Sequence, residues 1–267
     1  MLNNPPKVTL AIGGHDPCGG AGIQADIEAI AALGGHATSA ITCLTVQDTL
    51  NVQQLIPVEP DLVIAQAKAV LDDLAVSTIK IGLIGSATLA QALAQLLAEH
   101  PSIPVVLDPV LAAGGGAVLA DSELQRTMIN HLLPRVNLLT PNSHEARHLA
   151  GTSNLDECAQ ILLHHGCKQV LITGTHEEAP AVTNTLYSSD SASTSWEWER
   201  LPGEYHGSGC TLAAAIAALL AQGLSLTDAV RKGQEYTWQT LAHGQQPGRG
   251  QTLPSRLYRL AAEHENT

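Results

Sequence analysis

The amino-acid sequence predicts an α/β fold, with helices on both faces of a mostly parallel central sheet. Two observations carry this prediction. Short apolar runs rich in β-branched residues alternate with amphipathic stretches of helical period along most of the chain. Of the 267 residues, 45% are apolar and only 14% are charged, which is ample material for one large core. Such sheets place their ligands beyond the carboxyl ends of the strands, so the loops there are where function is sought.

The elements follow in order. Residues 7–12, KVTLAI, read as a buried strand, and 13–22, GGHDPCGGAG, as a loop. Residues 23–35 form a helix with Ile23, Ile27, Ile30 and Leu33 on one face, closed by Gly34-Gly35. Strand character resumes over 36–47. The alternation continues with helix 61–74, strand 78–85, helix 87–100, strand 103–111, helix 123–135 and strand 136–142. A short helix over 143–151, a helix over 155–166 and a strand over 168–174 come next. Residues 182–187 and 193–200 alternate apolar with polar, which predicts a small antiparallel hairpin. Helices over 212–222, 233–244 and 254–264 close the chain, and residues 1–267 read as a single domain.

The net charge of −12 argues against nucleic acid or an anionic membrane as partner. It leaves a phosphate-bearing substrate open, because a nest of backbone N–H groups binds anions on an acidic protein. Five cysteines without regular spacing suggest reduced thiols and a cytoplasmic location. The first ten residues lack the pattern of a signal peptide, and no uninterrupted apolar stretch approaches the roughly 18 residues of a membrane span. With no phenylalanine, the core must be built from Leu, Ile, Val and Ala.

The most informative stretch is His206-Gly207-Ser208-Gly209-Cys210-Thr211, a glycine turn running into an alanine-rich helix that ends at Gly223. A helix start with free N–H groups is an anion site. A thiol at that terminus is expected to ionise below its usual value of about 8.5. The plainer reading is a glycine-capped core helix with a buried cysteine. Asp108 ends one strand, and Asn142 and Glu145 follow another at N-x-x-E spacing. Oxygen ligands so placed suit Mg²⁺ held by one or two carboxylates, and a capped helix start is the competing reading. Asp16 lies in the first loop, and Asp26 lies on the first turn of the helix after it, where complementing the helix dipole is the plainer reading. Gln47 ends a strand, where its amide can grip a heterocycle or simply satisfy a loop. Two motifs fit poorly. GAGIQA at 20–25 matches a dinucleotide fingerprint but sits too far past its strand. HEARH at 144–148 matches a zinc-peptidase pattern but starts directly after a turn at Pro141-Asn142.

Taken together, GGHDPCGGAGIQAD, KIGLIG, LDPV, TPNSHEA and HGSGCT, in this order, resemble the hydroxymethylpyrimidine/phosphomethylpyrimidine kinases of thiamine biosynthesis. These belong to the ribokinase-like superfamily, whose fold is a three-layer αβα sandwich with a small β flap. The resemblance implies ATP- and Mg²⁺-dependent phosphorylation of 4-amino-5-hydroxymethyl-2-methylpyrimidine and then of its monophosphate. It implies that Cys210 takes the base position and that the N–H groups of Gly207, Ser208, Gly209 and Cys210 form the anion hole. Gly14, Asp26, Gln47 and Val110 would line the pyrimidine pocket. Asn142, Thr173 and Thr211 would bind the nucleotide, and Asp108 and Glu145 the metal. A homodimer is also implied. Three positions depart from the family pattern. Thr173 stands where a lysine is common, the segment LAAGGGA at 111–117 carries no lysine, and Asn184 replaces an aspartate. Pyridoxal phosphorylation, or pyrimidine binding with reduced turnover, are the alternatives these residues leave open.

Overall fold

The structure is a computed structural model that describes residues 5–112, 116 and 119–260. Among the described residues, nine strands form one sheet in the order β3-β2-β1-β4-β5-β6-β7-β8-β9. They are β1 (Val8–His15), β2 (His36–Gln47), β3 (Val52–Pro57), β4 (Val76–Ile81), β5 (Val105–Leu107), β6 (Leu138–Leu139), β7 (Gln169–Thr173), β8 (Ala181–Ser188) and β9 (Thr194–Glu199). The run from β2 through β7 is parallel, and β3, β8 and β9 join antiparallel at the two edges. The helices are α1 (Gly22–Ala32), α2 (Pro60–Asp73), α3 (Ala87–Glu99), α4 (Ser122–Thr127), α5 (Ser143–Ala150), α6 (Leu155–His164), α7 (Ser208–Ala221) and α8 (Leu226–Ala242).

Alternation along the central strands divides them between two cores. Leu10 and Ile12 of β1 face the layer of α2, α3, α5 and α6, while Ala11 faces α1 and α7. Val105 and Leu107 of β5 join the first core, and Val106 meets Leu212, Ile216 and Ala217 of α7. Helix α7 is apolar on every side because it is covered on every side, by the sheet, α1 and α8. Its alanines let those neighbours come close. Gly233 in the middle of α8 serves the same purpose, since a side chain there would press on Ile216 of α7. The sequence reading started this helix at Gly233, and it starts seven residues earlier, where Ser225 caps the N–H of Asp228.

Other boundaries shift for identifiable reasons. β5 and β6 are shorter than read, because the chain leaves the sheet to deliver Asp108 and Asn142 to the loops. The helix read over 123–135 changes pitch after Thr127, through a π turn (Met128–Leu132) and a 3₁₀ turn (Leu133–Arg135). Pro134, which lacks an N–H, sits in the last turn. The hairpin at 182–200 exists, and it extends the main sheet instead of standing apart as a flap. β3 was not foreseen. Its side chains are largely exposed, so it carries no burial signal, and it exists by pairing with the outer half of β2. The last helix, read over 254–264, begins later, with helical residues 258–260 after a turn at 256–257, and its remainder lies outside the described residues.

Candidate active site

The carboxyl ends of β1, β4, β5, β6 and β7 open into a cleft of about 790 Å³ roofed by the start of α7. Two glycine loops build its floor. In the first, the buried carboxylate of Asp16 accepts the N–H groups of Cys18 and Ala21, each at 2.8 Å. His206 Nε2 lies 2.9 Å from the same carboxylate. Burial works to raise the Asp16 pKa, but the bonds from His206, Cys18 and Ala21 outweigh it and hold the carboxyl below its ordinary value. The second loop packs on the first backbone to backbone. Gly207 caps α7 with φ of 84°, and a Cβ there would overlap the carbonyl oxygen of Gly20.

Arg256 locks the two loops together. Its side chain is buried and donates to the carbonyls of Gly19 and Gly20, to Glu28 and to Thr211 Oγ1. The first intrahelical bond of α7 runs from Thr211 N–H to Gly207 O at 3.0 Å. The amides of Ser208, Gly209 and Cys210 therefore precede the helical ladder and stand at the positive end of the helix dipole, on the cleft.

Asp108 and Glu145 face this terminus. Asn142 and Glu145 form a reciprocal capping box, with both bonds at 2.9 Å, so the capped-helix reading of N-x-x-E holds. The same geometry turns Glu145 onto the cleft, where Leu111 N–H also donates to it at 3.4 Å. Burial, and then the negative charge of Asp108, push the Glu145 pKa up to about 8. Asp108 Oδ2 is buried without a hydrogen-bond partner. Two carboxylates short of positive charge on the cleft side are what a divalent cation completed by phosphate and water would satisfy. Among the described residues, no three His, Cys, Asp or Glu side chains converge into a metal cage. The two histidines of HEARH go separate ways, His148 to Gln125 Oε1 at 2.9 Å and His144 onto the His176 ring at 4.6 Å.

Cys210 corrects one expectation. Its thiol is not acidic: burial pushes the pKa up to about 12, with Asp108 and Asp26 adding to the rise against the pull of Lys80. Desolvation and two carboxylates outweigh the helix terminus. Of the residues singled out in the sequence, Gly14, Gln47, Val110, Asp108, Asn142, Glu145, Thr173, Gly207, Ser208, Gly209 and Cys210 all line the cleft. Asp26 and Thr211 stand behind its wall. Asp26 is fully buried, with Oδ2 accepting from Lys80 Nζ at 2.9 Å and Oδ1 at 2.8 Å from it, off the donor direction. Thr211 donates to Gly207 O and accepts from Arg256.

Sequence reasoning missed Lys80, Arg256 and a polar cluster at the far end of the cleft. In that cluster Asn184 Nδ2 and Trp198 Nε1 both donate to Gln234 Oε1, at 2.8 and 3.0 Å. Lys80 did leave a signal: a lysine inside the apolar strand TIKIGLI has no route to solvent. Burial works to lower its pKa, but Asp26, Cys210 and Asp108 raise it well above the ordinary lysine value, so the ammonium persists.

A doubly wound sheet whose strand ends present carboxylates to a glycine-capped helix terminus is the architecture of a ribokinase-like phosphotransferase. Comparison with known proteins narrows the class. Residues 16–255 match the family model described as phosphomethylpyrimidine kinase. A hydroxymethylpyrimidine/phosphomethylpyrimidine kinase of Synechococcus elongatus is 37% identical over 95% of this chain and 98% of its own. An ADP complex of Bacillus subtilis pyridoxal kinase superposes with a TM-score of 0.88 at 26% identity, covering 96% of this chain and 100% of that one. The phosphomethylpyrimidine kinase of Clostridium difficile superposes with a TM-score of 0.75 at 30% identity, covering 86% and 97%. The chain belongs to the phosphomethylpyrimidine kinase family.

Proposed function

We propose that the protein transfers the γ-phosphoryl group of ATP to the hydroxymethyl oxygen of 4-amino-5-hydroxymethyl-2-methylpyrimidine, and then to the resulting monophosphate. The observation that carries this reading is the placement of the three free amides of Ser208, Gly209 and Cys210 opposite Asp108 and Glu145 across one cleft. Phosphoryl transfer needs positioning and charge neutralisation more than covalent chemistry, and this arrangement supplies both. The cleft's Gly14, Gln47 and Val110 suit a flat heterocycle: Gly14 offers bare backbone and Gln47 an amide. At its other end, Val182, Leu212, Trp198 and Gln234 suit a purine base. Asn142 and Thr173 lie between the two ends. Asp108 and Glu145 would hold Mg²⁺, which neutralises phosphate charge during transfer.

In the reaction, the hydroxyl oxygen bonds to the γ-phosphorus as the bond from that phosphorus to the β–γ bridging oxygen breaks, and ADP leaves. The hydroxyl proton passes to Cys210 Sγ as the thiol proton passes to the neighbouring Asp108 carboxylate, whose charge bears on that thiol. A loose transition state tolerates such late proton loss, so a thiol of high pKa is not a barrier to the role. The amides of 208–210 receive the charge on the transferring group.

The whole chain works as one kinase domain in this reading, as a homodimer in the cytoplasm. No helix of the described residues is long and apolar enough to cross a membrane. Pyridoxal is the second reading, favoured by the superposition on a pyridoxal kinase. Steady-state ADP release with the pyrimidine, its monophosphate and pyridoxal separates them. The pyrimidine and its monophosphate should give the highest kcat/KM, and ADP release from pyridoxal alone would transfer the assignment to that substrate.

A further inference from the structure

Lys80 has the largest of the fully buried side chains. Its neighbours Ile79 and Ile81 point into the core under α2 and α3, so position 80 points to the other face, toward α1 and α7. An apolar residue would normally fill that place. Nζ is instead anchored on Asp26 of α1 and reaches the cleft floor beside Asp108 and Cys210. Space for it is reserved at Gly82, where a Cβ would lie 2.7 Å from Nζ.

The charge balance of the cleft makes this ammonium unusual. Among the described residues that line it, the only lysine or arginine side chains are Lys80 and Arg200. Arg200 is committed to the carbonyls of Thr175, Glu177 and Ala179. Thr173 brings no charge at the end of β7. A buried ion pair kept for stability alone is a poor investment, since packed apolar side chains serve as well or better. Keeping one against the reacting end of the cleft points to work on charge.

We propose that Lys80 is a positioning residue for the transfer step: held by Asp26, it fixes a positive charge behind Asp108 and Cys210 and offsets the negative charge that gathers there as the phosphoryl group moves. This role rests on the phosphotransferase reading above. It assigns Asp26 the task of anchoring Lys80 in the unliganded protein.

The test is a double-mutant cycle of Lys80→Met and Asp26→Asn, with kcat, KM and thermal midpoint measured for each protein. The double variant removes both members of the Lys80–Asp26 pair and strands neither, so it keeps the cycle readable if Lys80→Met alone fails to fold. On the Asp26→Asn background, Lys80→Met should lower kcat about 10-fold or more while KM for the pyrimidine changes little. Affinity for ADP with aluminium fluoride, relative to ADP alone, should fall by a similar factor, and this readout needs no turnover. Equal kcat and equal affinity ratio for Asp26→Asn and the double variant would reduce Lys80 to a structural partner of Asp26 and overturn the proposal. A folded wild-type protein that releases no ADP with any substrate would strike the kinase reading itself, which the wild-type arm reports separately.

Discussion

Cys210 sits where two effects of opposite sign meet. The start of α7 favours a thiolate, whereas burial beside Asp108 and Asp26 disfavours it, and burial wins. From sequence only the first effect is visible, because the carboxylates arrive from α1 and from the end of β5, more than a hundred residues away in the chain. The outcome is measurable. Peptide-mapped alkylation of Cys210 by iodoacetamide should accelerate about tenfold per pH unit from neutral pH to pH ~10 without levelling off, since only the thiolate reacts. A plateau near pH 8 would mean that the helix terminus prevails after all. Asp108, Glu145 and Gln47 stand out in the sequence because strand ends mark them, whereas Gly14 is marked only by the family resemblance; all four line the cleft. Asp26 was not legible as the partner of Lys80, since that pairing joins a helix and a strand 54 residues apart.

At the scale of elements, α7 and its glycine turn were legible, and their cause is local. Alanine and leucine make the helix, Gly207 supplies the left-handed cap and Gly223 follows its end. What the local signal could not give is the reason Gly207 must stay bare, namely the carbonyl of Gly20 packed against it. Gly207→Ala should therefore do more than strain a cap. It should push the two loops apart, lower the thermal midpoint and cut turnover roughly 10²-fold through misplaced amides. Wild-type turnover with an unchanged midpoint would show that the loops do not need this contact. Strand β3 was illegible for the opposite reason. Its side chains carry no core pattern, and its existence is decided by its neighbour β2.

For the molecule as a whole, the strand–helix alternation sufficed to predict the parallel sheet and its two helical layers. It could not predict that the hairpin at one end and β3 at the other would continue the same sheet, because antiparallel edges leave no mark beyond their own strands. The consequence for function is that one continuous sheet aligns every strand end that feeds the cleft, from Gly14 near the end of β1 to Thr173 at the end of β7. Arg256, near the far end of the chain, then ties the first loop to the start of α7. So built, the cleft moves a phosphoryl group onto a pyrimidine hydroxymethyl oxygen. Phosphorus NMR of one reaction containing the protein, ATP, Mg²⁺ and 4-amino-5-hydroxymethyl-2-methylpyrimidine tests it directly. A phosphomonoester resonance should grow as ADP appears and then give way to the paired resonances of a diphosphate ester. ATP that stays intact, or that yields only inorganic phosphate, would rule this transfer out.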